Sequence, residues 1–299
     1  MMPHSPMPVA VEPSPRIKSS VFGNYHPANR EPEPDAADSA TPSAAPAATT
    51  TDCAELALAR SFLHQLLARS FEYPTADTWH WLCRPETQAA CLAACQALDL
   101  GTPSALTARG QVLAAAFQTN AFDAFHDDYL TAIGHAARGS CPINEIEYGD
   151  LKADPLFQPH RLADLAAFYH AFGLEVCSSA GERQDHLSVE LEFMSVLTAQ
   201  EAHALNTRPA PEAAAICREA QRKFLREHLG RWTPAFTRRL QRDVGDRALG
   251  ALAQFALAFV QCECRRLGVS AGSEDLLLRP ADEGAALCHG CGLEASPPC

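Results

Sequence analysis

Apolar positions recur at helical spacing along most of this chain. In Ala54–Phe71, the residues Leu56, Ala59, Leu63, Leu66 and Leu67 fall on one face, and Pro74 ends the segment. The same spacing predicts helices over Thr78–Leu98, from Pro103 to about Thr119, and over Ala121–Ala136, where Phe122, Phe125, Tyr129 and Ile133 recur. The pattern then stops over Gly139–Pro159, which holds Pro142, Gly149, Pro155 and Pro159. A structureless connection of about 20 residues is longer than compact domains usually contain, and such loops tend to be functional. Helical spacing resumes over Arg161–Phe172, closed by Gly173 as a C′ residue. Further helices are predicted from Asp185 to about Leu205, over Pro211–Leu229, over Pro234–Val244, and in a last segment to about Leu267. Alternation of β-branched residues is almost absent, so no sheet is expected. The expected fold is all-α: a single-domain helical bundle with a long functional loop between its fourth and fifth helices.

The helix after Gly173 carries the densest chemistry. Its sequence runs Glu182-Arg-Gln-Asp185-His186-Leu-Ser-Val-Glu190-Leu-Glu-Phe-Met194. Leu187, Leu191 and Met194 form a stripe that Val189, Phe193 and Val196 widen, and Asp185 stands where an N-cap is expected. With the preceding turn also helical, Glu182, His186 and Glu190 share one face at i, i+4 and i+8. Carboxylates beside an imidazole on such a face form a receptor for a cationic ligand. No neighbouring residue supplies an obvious nucleophile, so the cluster is a poor catalytic site on its own. A plainer reading also fits, because the macrodipole favours acidic residues in a first turn by about 0.3–1 kcal/mol each.

Read with its surroundings, this segment resembles the signature of the TorD/DmsD/NarJ-type redox-enzyme maturation chaperones, E-(P)-x-D-H followed by an E-L-x-F-M-like helix. Phe168–Val176 resembles the helix that precedes the signature, and Cys141-Pro-Ile-Asn-Glu145-Ile-Glu147-Tyr148-Gly149 resembles the family's P-x-x-E-x-x-Y loop. The form of that loop is closest to the branch serving type II DMSO-reductase-like molybdoenzymes. Phe224–Trp232 and Phe236–Leu240 add to the likeness, which covers about residues 54–268. Arg183 and Asn144 depart from it, standing where proline and tyrosine are common.

The resemblance implies a TorD-like bundle in which loop and signature helix meet at one groove. It implies a chaperone without catalytic turnover and without a cofactor of its own. The implied partners are a molybdoenzyme catalytic subunit with its twin-arginine leader, and the molybdenum cofactor during insertion. The implied peptide-binding residues are Glu145, Glu147, Tyr148, Glu182, Asp185, His186 and Glu190. Carboxylates accept guanidinium groups bidentately, and a groove between helices suits the apolar part of a leader.

Composition sharpens this picture. Nearly half of the 22 prolines lie in residues 1–52 among Ala, Ser and Thr, so this stretch is expected to be a disordered tail. Residues 53–268 form the helical domain, and 269–299 an irregular tail with cysteines. Residues 1–52 hold three basic and six acidic side chains, which leaves −9 of the total charge of −12 on the remainder. That charge argues against nucleic acid and suits a basic peptide. No segment has the basic start and apolar run of a secretory signal, and none reaches 18 consecutive apolar residues, so no membrane span is expected.

Twelve cysteines then point to a reducing, cytoplasmic setting, with Cys83, Cys91, Cys95, Cys177 and Cys217 as small core residues. Cys288-His-Gly-Cys291, alone or with Cys262 and Cys264, leaves a metal site open. His186 with neighbouring carboxylates leaves another, and with them the alternative of an α-helical metal-binding enzyme or sensor. The spacing of Cys262 and Cys264 opposes the first site, since residues at i and i+2 on a helix do not share a face.

Overall fold

The computed structural model describes residues 17–19, 50–99, 105–134, 139–149, 157–177, 181–206 and 210–279. Among these, ten α-helices follow the apolar spacing: α1 (Thr50–Ser70), α2 (Ala76–Leu82), α3 (Pro85–Leu98), α4 (Ala105–Ala116), α5 (Phe122–Ala132), α6 (Phe157–Ala171), α7 (Leu187–Asn206), α8 (Pro211–Glu227), α9 (Leu229–Val244) and α10 (Ala248–Arg266). The fold is all-α.

α1 and α7 form the most extensive helix pair; α8 packs on α7, α9 on α8, and α10 on α9 and α4. α7 is buried on every side from Leu187 to Ser195, including Ser188, Glu190 and Glu192. The sequence predicted an apolar stripe on one side of this helix. Its central position explains the difference, because neighbours cover the polar face as well. The core is one continuous cluster in which Phe71, Phe193, Phe224, Trp232, Phe236, Phe255 and Phe259 are fully enclosed. Each such aromatic contributes about 1.5–3 kcal/mol by leaving water.

Three departures from the predicted elements have identifiable causes. The predicted Thr78–Leu98 helix is two, because Pro85 occupies the first position of α3 and holds Arg84 in an extended conformation (ψ 134°). α9 begins at Leu229 and carries Pro234 inside it, where the sequence placed its start. Lacking an N–H, Pro234 leaves the carbonyl of Gly230 without its helical donor, and the amide of Gly272 fills that place at 2.9 Å. Gly272 must be glycine for this approach, since a Cβ there would stand 1.9 Å from the Arg231 carbonyl oxygen.

The third departure is a two-stranded antiparallel ribbon where no sheet was expected. β1 (Ile17–Ser19) pairs with β2 (Leu174–Val176), Ile17 opposite Val176 and Ser19 opposite Leu174. Three residues per strand are too few for alternation to show in sequence. β1 falls within the segment expected to be disordered.

The described cysteines are all free; Cys91, Cys95, Cys177 and Cys217 are buried and Cys83 partly so. Residues 288 and 291 lie outside the described residues. No helix among the described residues is long and apolar enough to cross a membrane, and none of their His, Cys, Asp and Glu side chains form a group of three or more able to hold a metal ion.

Candidate functional site

The loop and the signature segment meet through backbone pairing. Asn144 and His186 form an antiparallel bridge, with Glu145 N donating to Asp185 O (2.9 Å) and Leu187 N to Ile143 O (3.1 Å). α7 starts at Leu187, so Glu182 lies in the turn before it and the predicted face of Glu182, His186 and Glu190 does not form. His186 takes the capping role expected of Asp185: its Nδ1 accepts from the Ser188 amide at 3.2 Å. The Asp185 carboxylate turns to the loop instead and accepts from the Ile146 amide at 3.2 Å.

Glu145 is the buried hinge pin of the loop. It opens a short 3-10 turn, Glu145–Glu147, and is fully enclosed. Its carboxylate accepts from Arg161 of α6 (2.7 Å) and Arg231 of α9 (3.1 Å), and lies 2.9 Å from Nδ1 of His228. Burial would raise its pKa, but the hydrogen bond to His228 and the charges of His228, Arg161 and Arg231 outweigh this and hold it below the usual carboxylate range. Tyr148 is equally enclosed; its hydroxyl donates to Pro142 O (2.8 Å), and its ring packs 5.3 Å from that of Trp232. Glu147 is half-buried, and its carbonyl accepts from Arg279 N (2.9 Å), while Gly149 N donates to Leu277 O (3.2 Å). Residues 277–279 thus run beside the loop.

Glu190 lies deeper, with Trp232 Nε1 donating to both carboxylate oxygens at 3.2 Å. Burial lifts its pKa well above the ordinary range, the charge of Glu145 adds to this, and the Trp232 hydrogen bond opposes it.

The seven residues singled out from sequence are therefore gathered but divided. Glu145, Tyr148, Asp185 and Glu190 are fully enclosed and tie the loop to the core. Glu182 and His186 instead line an open pocket of about 240 Å³. Its apolar lining is Tyr73, Tyr129, Ile133, Pro142 and Ile143, and its polar lining includes Asn144, Glu182, Arg183 and His186. A mixed lining of this kind suits a peptide that carries both apolar and cationic groups.

Sequence reading missed Arg161, His228, Arg231 and Trp232 as the partners of Glu145 and Glu190. Three of them lie in the Phe224–Trp232 stretch, where His228, Arg231 and Trp232 stand beside Leu225 and Leu229. That grouping was the available signal.

A model of the nitrate reductase delta subunit family matches residues 95–238. The perchlorate reductase assembly chaperone protein of Dechloromonas aromatica (strain RCB) is 27% identical over 212 residues, covering 70% of this chain and 90% of the relative. The selenate reductase assembly chaperone protein of Thauera selenatis is 34% identical over 143 residues, 48% of this chain and 69% of the relative. The chlorate reductase assembly chaperone protein of Ideonella dechloratans is 39% identical over 80 residues, 27% of this chain and 40% of the relative. No solved structure matches. With relatives that are assembly chaperones and not catalysts, this chain belongs to the family of redox-enzyme maturation chaperones.

Proposed function

We propose that this protein binds the twin-arginine leader and the apo form of a molybdoenzyme catalytic subunit in the cytoplasm, assists cofactor insertion, and withholds the client from export until insertion is complete. The observation that carries the reading is the pocket between loop and signature turn, lined by Tyr73, Tyr129 and Ile133 together with Glu182 and His186. This lining suits the two parts of such a leader: guanidinium groups at the Glu182 carboxylate and apolar residues against Tyr73, Tyr129 and Ile133. The relatives named for perchlorate, selenate and chlorate reductases support a client of the DMSO-reductase type. Glu145, Tyr148, Asp185 and Glu190 act in this reading from beneath, by fixing the loop that forms the pocket edge.

Calorimetry with a synthetic leader tests the proposal. Replacing both arginines of the leader by alanine is expected to remove most of the affinity. Equal binding of the two peptides would overturn it.

A further inference from the structure

Arg183 occupies an unusual place in the pocket wall. Its guanidinium grips the Asp185 carboxylate side-on, Nε to Oδ1 at 2.9 Å and Nη2 to Oδ2 at 2.7 Å. This is the paired geometry in which a carboxylate receives an arginine of a ligand. The two partners differ in access: the Arg183 side chain is 43% exposed, whereas that of Asp185 is fully covered. Arg183 also lines the pocket, and Asp185 does not. Beneath the guanidinium, the carboxylate keeps one further donor on each oxygen, Asn144 Nδ2 at 3.4 Å from Oδ1 and Ile146 N at 3.2 Å from Oδ2. Lifting Arg183 away would leave each oxygen with a lone pair free to accept another guanidinium.

We infer that Arg183 is a tethered stand-in for an arginine of the incoming peptide, which covers Asp185 in the empty protein and must be displaced for that carboxylate to bind a ligand guanidinium. The inference rests on the leader-binding reading and adds a regulatory element to the same site. The competition is intramolecular. Arg183 lies two residues from Asp185, and a short tether sustains an effective concentration on the order of millimolar. Ligand affinity is thereby held down and depends on how easily the half-exposed side chain swings out. An arginine that only supported the loop would behave in the opposite way, since its removal would weaken the pocket.

The test compares Arg183→Ala, Arg183→Lys and the unaltered protein by calorimetry against one twin-arginine peptide. Arg183→Ala is expected to bind at least about tenfold tighter, the yield of one charge-assisted hydrogen bond no longer contested. Arg183→Lys, which keeps the charge but loses the paired geometry, is expected to fall between. The gain should vanish in Arg183→Ala/Asp185→Asn. A second readout needs no leader: N-methylguanidinium at millimolar concentration should raise the melting temperature of Arg183→Ala and leave the unaltered protein unmoved. Unchanged or weaker peptide binding by Arg183→Ala would overturn the inference while sparing the function. Failure of every form to bind the peptide would overturn the function, and methylguanidinium rescue would still decide whether Asp185 accepts a free guanidinium.

Discussion

Two buried carboxylates in this molecule are held by the same kinds of partner and fasten different things. Glu263 of α10 is bound by Arg60 of α1, Nη2 to Oε2 at 2.8 Å, with His64 at 3.2 Å. Arg60 also donates to Glu201 of α7 and Gln221 of α8. Every member sits on a regular helix and is almost wholly enclosed, so the cluster locks four helices together. Glu145 has a histidine and two arginines where Glu263 has a histidine and one, but it sits on a three-residue turn of the loop. Its arginines are 18% and 24% exposed, and His228 reaches toward the exposed Asp164 at 3.2 Å. The first cluster builds the scaffold and meets water at its rim, where half-exposed Arg218 pairs with Glu201 at 3.1 Å. The second pins a loop at the pocket edge and stays in touch with solvent. Similar chemistry therefore has different consequences, set by what the carboxylate is mounted on.

The largest effect is expected at Glu263. Glu263→Leu leaves Arg60 enclosed with half its partners gone, and is expected to cost about 3–5 kcal/mol in urea denaturation. A loss below about 1 kcal/mol would show that Glu201 and Gln221 hold Arg60 without it. Glu145→Gln is expected to cost less, about 2 kcal/mol, because Arg161 and Arg231 can turn to water. Its local effect should be larger: hydrogen exchange at the Ile146, Tyr148 and Gly149 amides should quicken, and leader affinity should drop. Protection of those amides as in the unaltered protein would show that the loop does not depend on the pin.

The smallest effect is expected at Glu190. Glu145 and Glu263 have depressed folded pKa values, Glu263 through burial being outweighed by Arg60 and His64. Their contributions are complete above about pH 4.3, the unfolded value, and are lost as pH falls through the folded values. Glu190 is raised, so the sign reverses: its contribution is complete below about pH 4.3 and is lost as pH rises through its folded value. Glu190→Gln keeps an acceptor for Trp232 and cannot ionise. It should therefore gain about 1 kcal/mol or less at neutral and alkaline pH and nothing in acid. Parallel pH profiles for the two proteins would remove the distinction between Glu190 and the two pinned carboxylates.

How much of this was legible in the sequence depended on range. Apolar spacing located the helices, and the Pro-rich break located the loop, because both are written in neighbouring residues. The division of Thr78–Leu98 was also local, and Pro85 carried it. What could not be read was which carboxylates face inward. Glu145 and Glu182 look alike in sequence, yet one meets Arg161 and Arg231 across the fold and the other lines a pocket. Asp185 looked like a helix cap until the Ile146 amide, 39 residues away, claimed its carboxylate. Pairings of that kind are fixed by tertiary packing and leave no periodicity behind.

The seat that Gly230 offers to Gly272 bears on the order in which the protein is made. The loop at 145–149 is flanked by residues 277–279, which are synthesised about 130 residues after it. At ordinary elongation rates that interval lasts on the order of ten seconds. During it the helices can assemble, but the loop lacks its last neighbour and the Gly230 carbonyl its donor. The pocket edge is thus among the final parts of the nascent chain to settle, and a chaperone still on the ribosome would not yet be ready to receive its client.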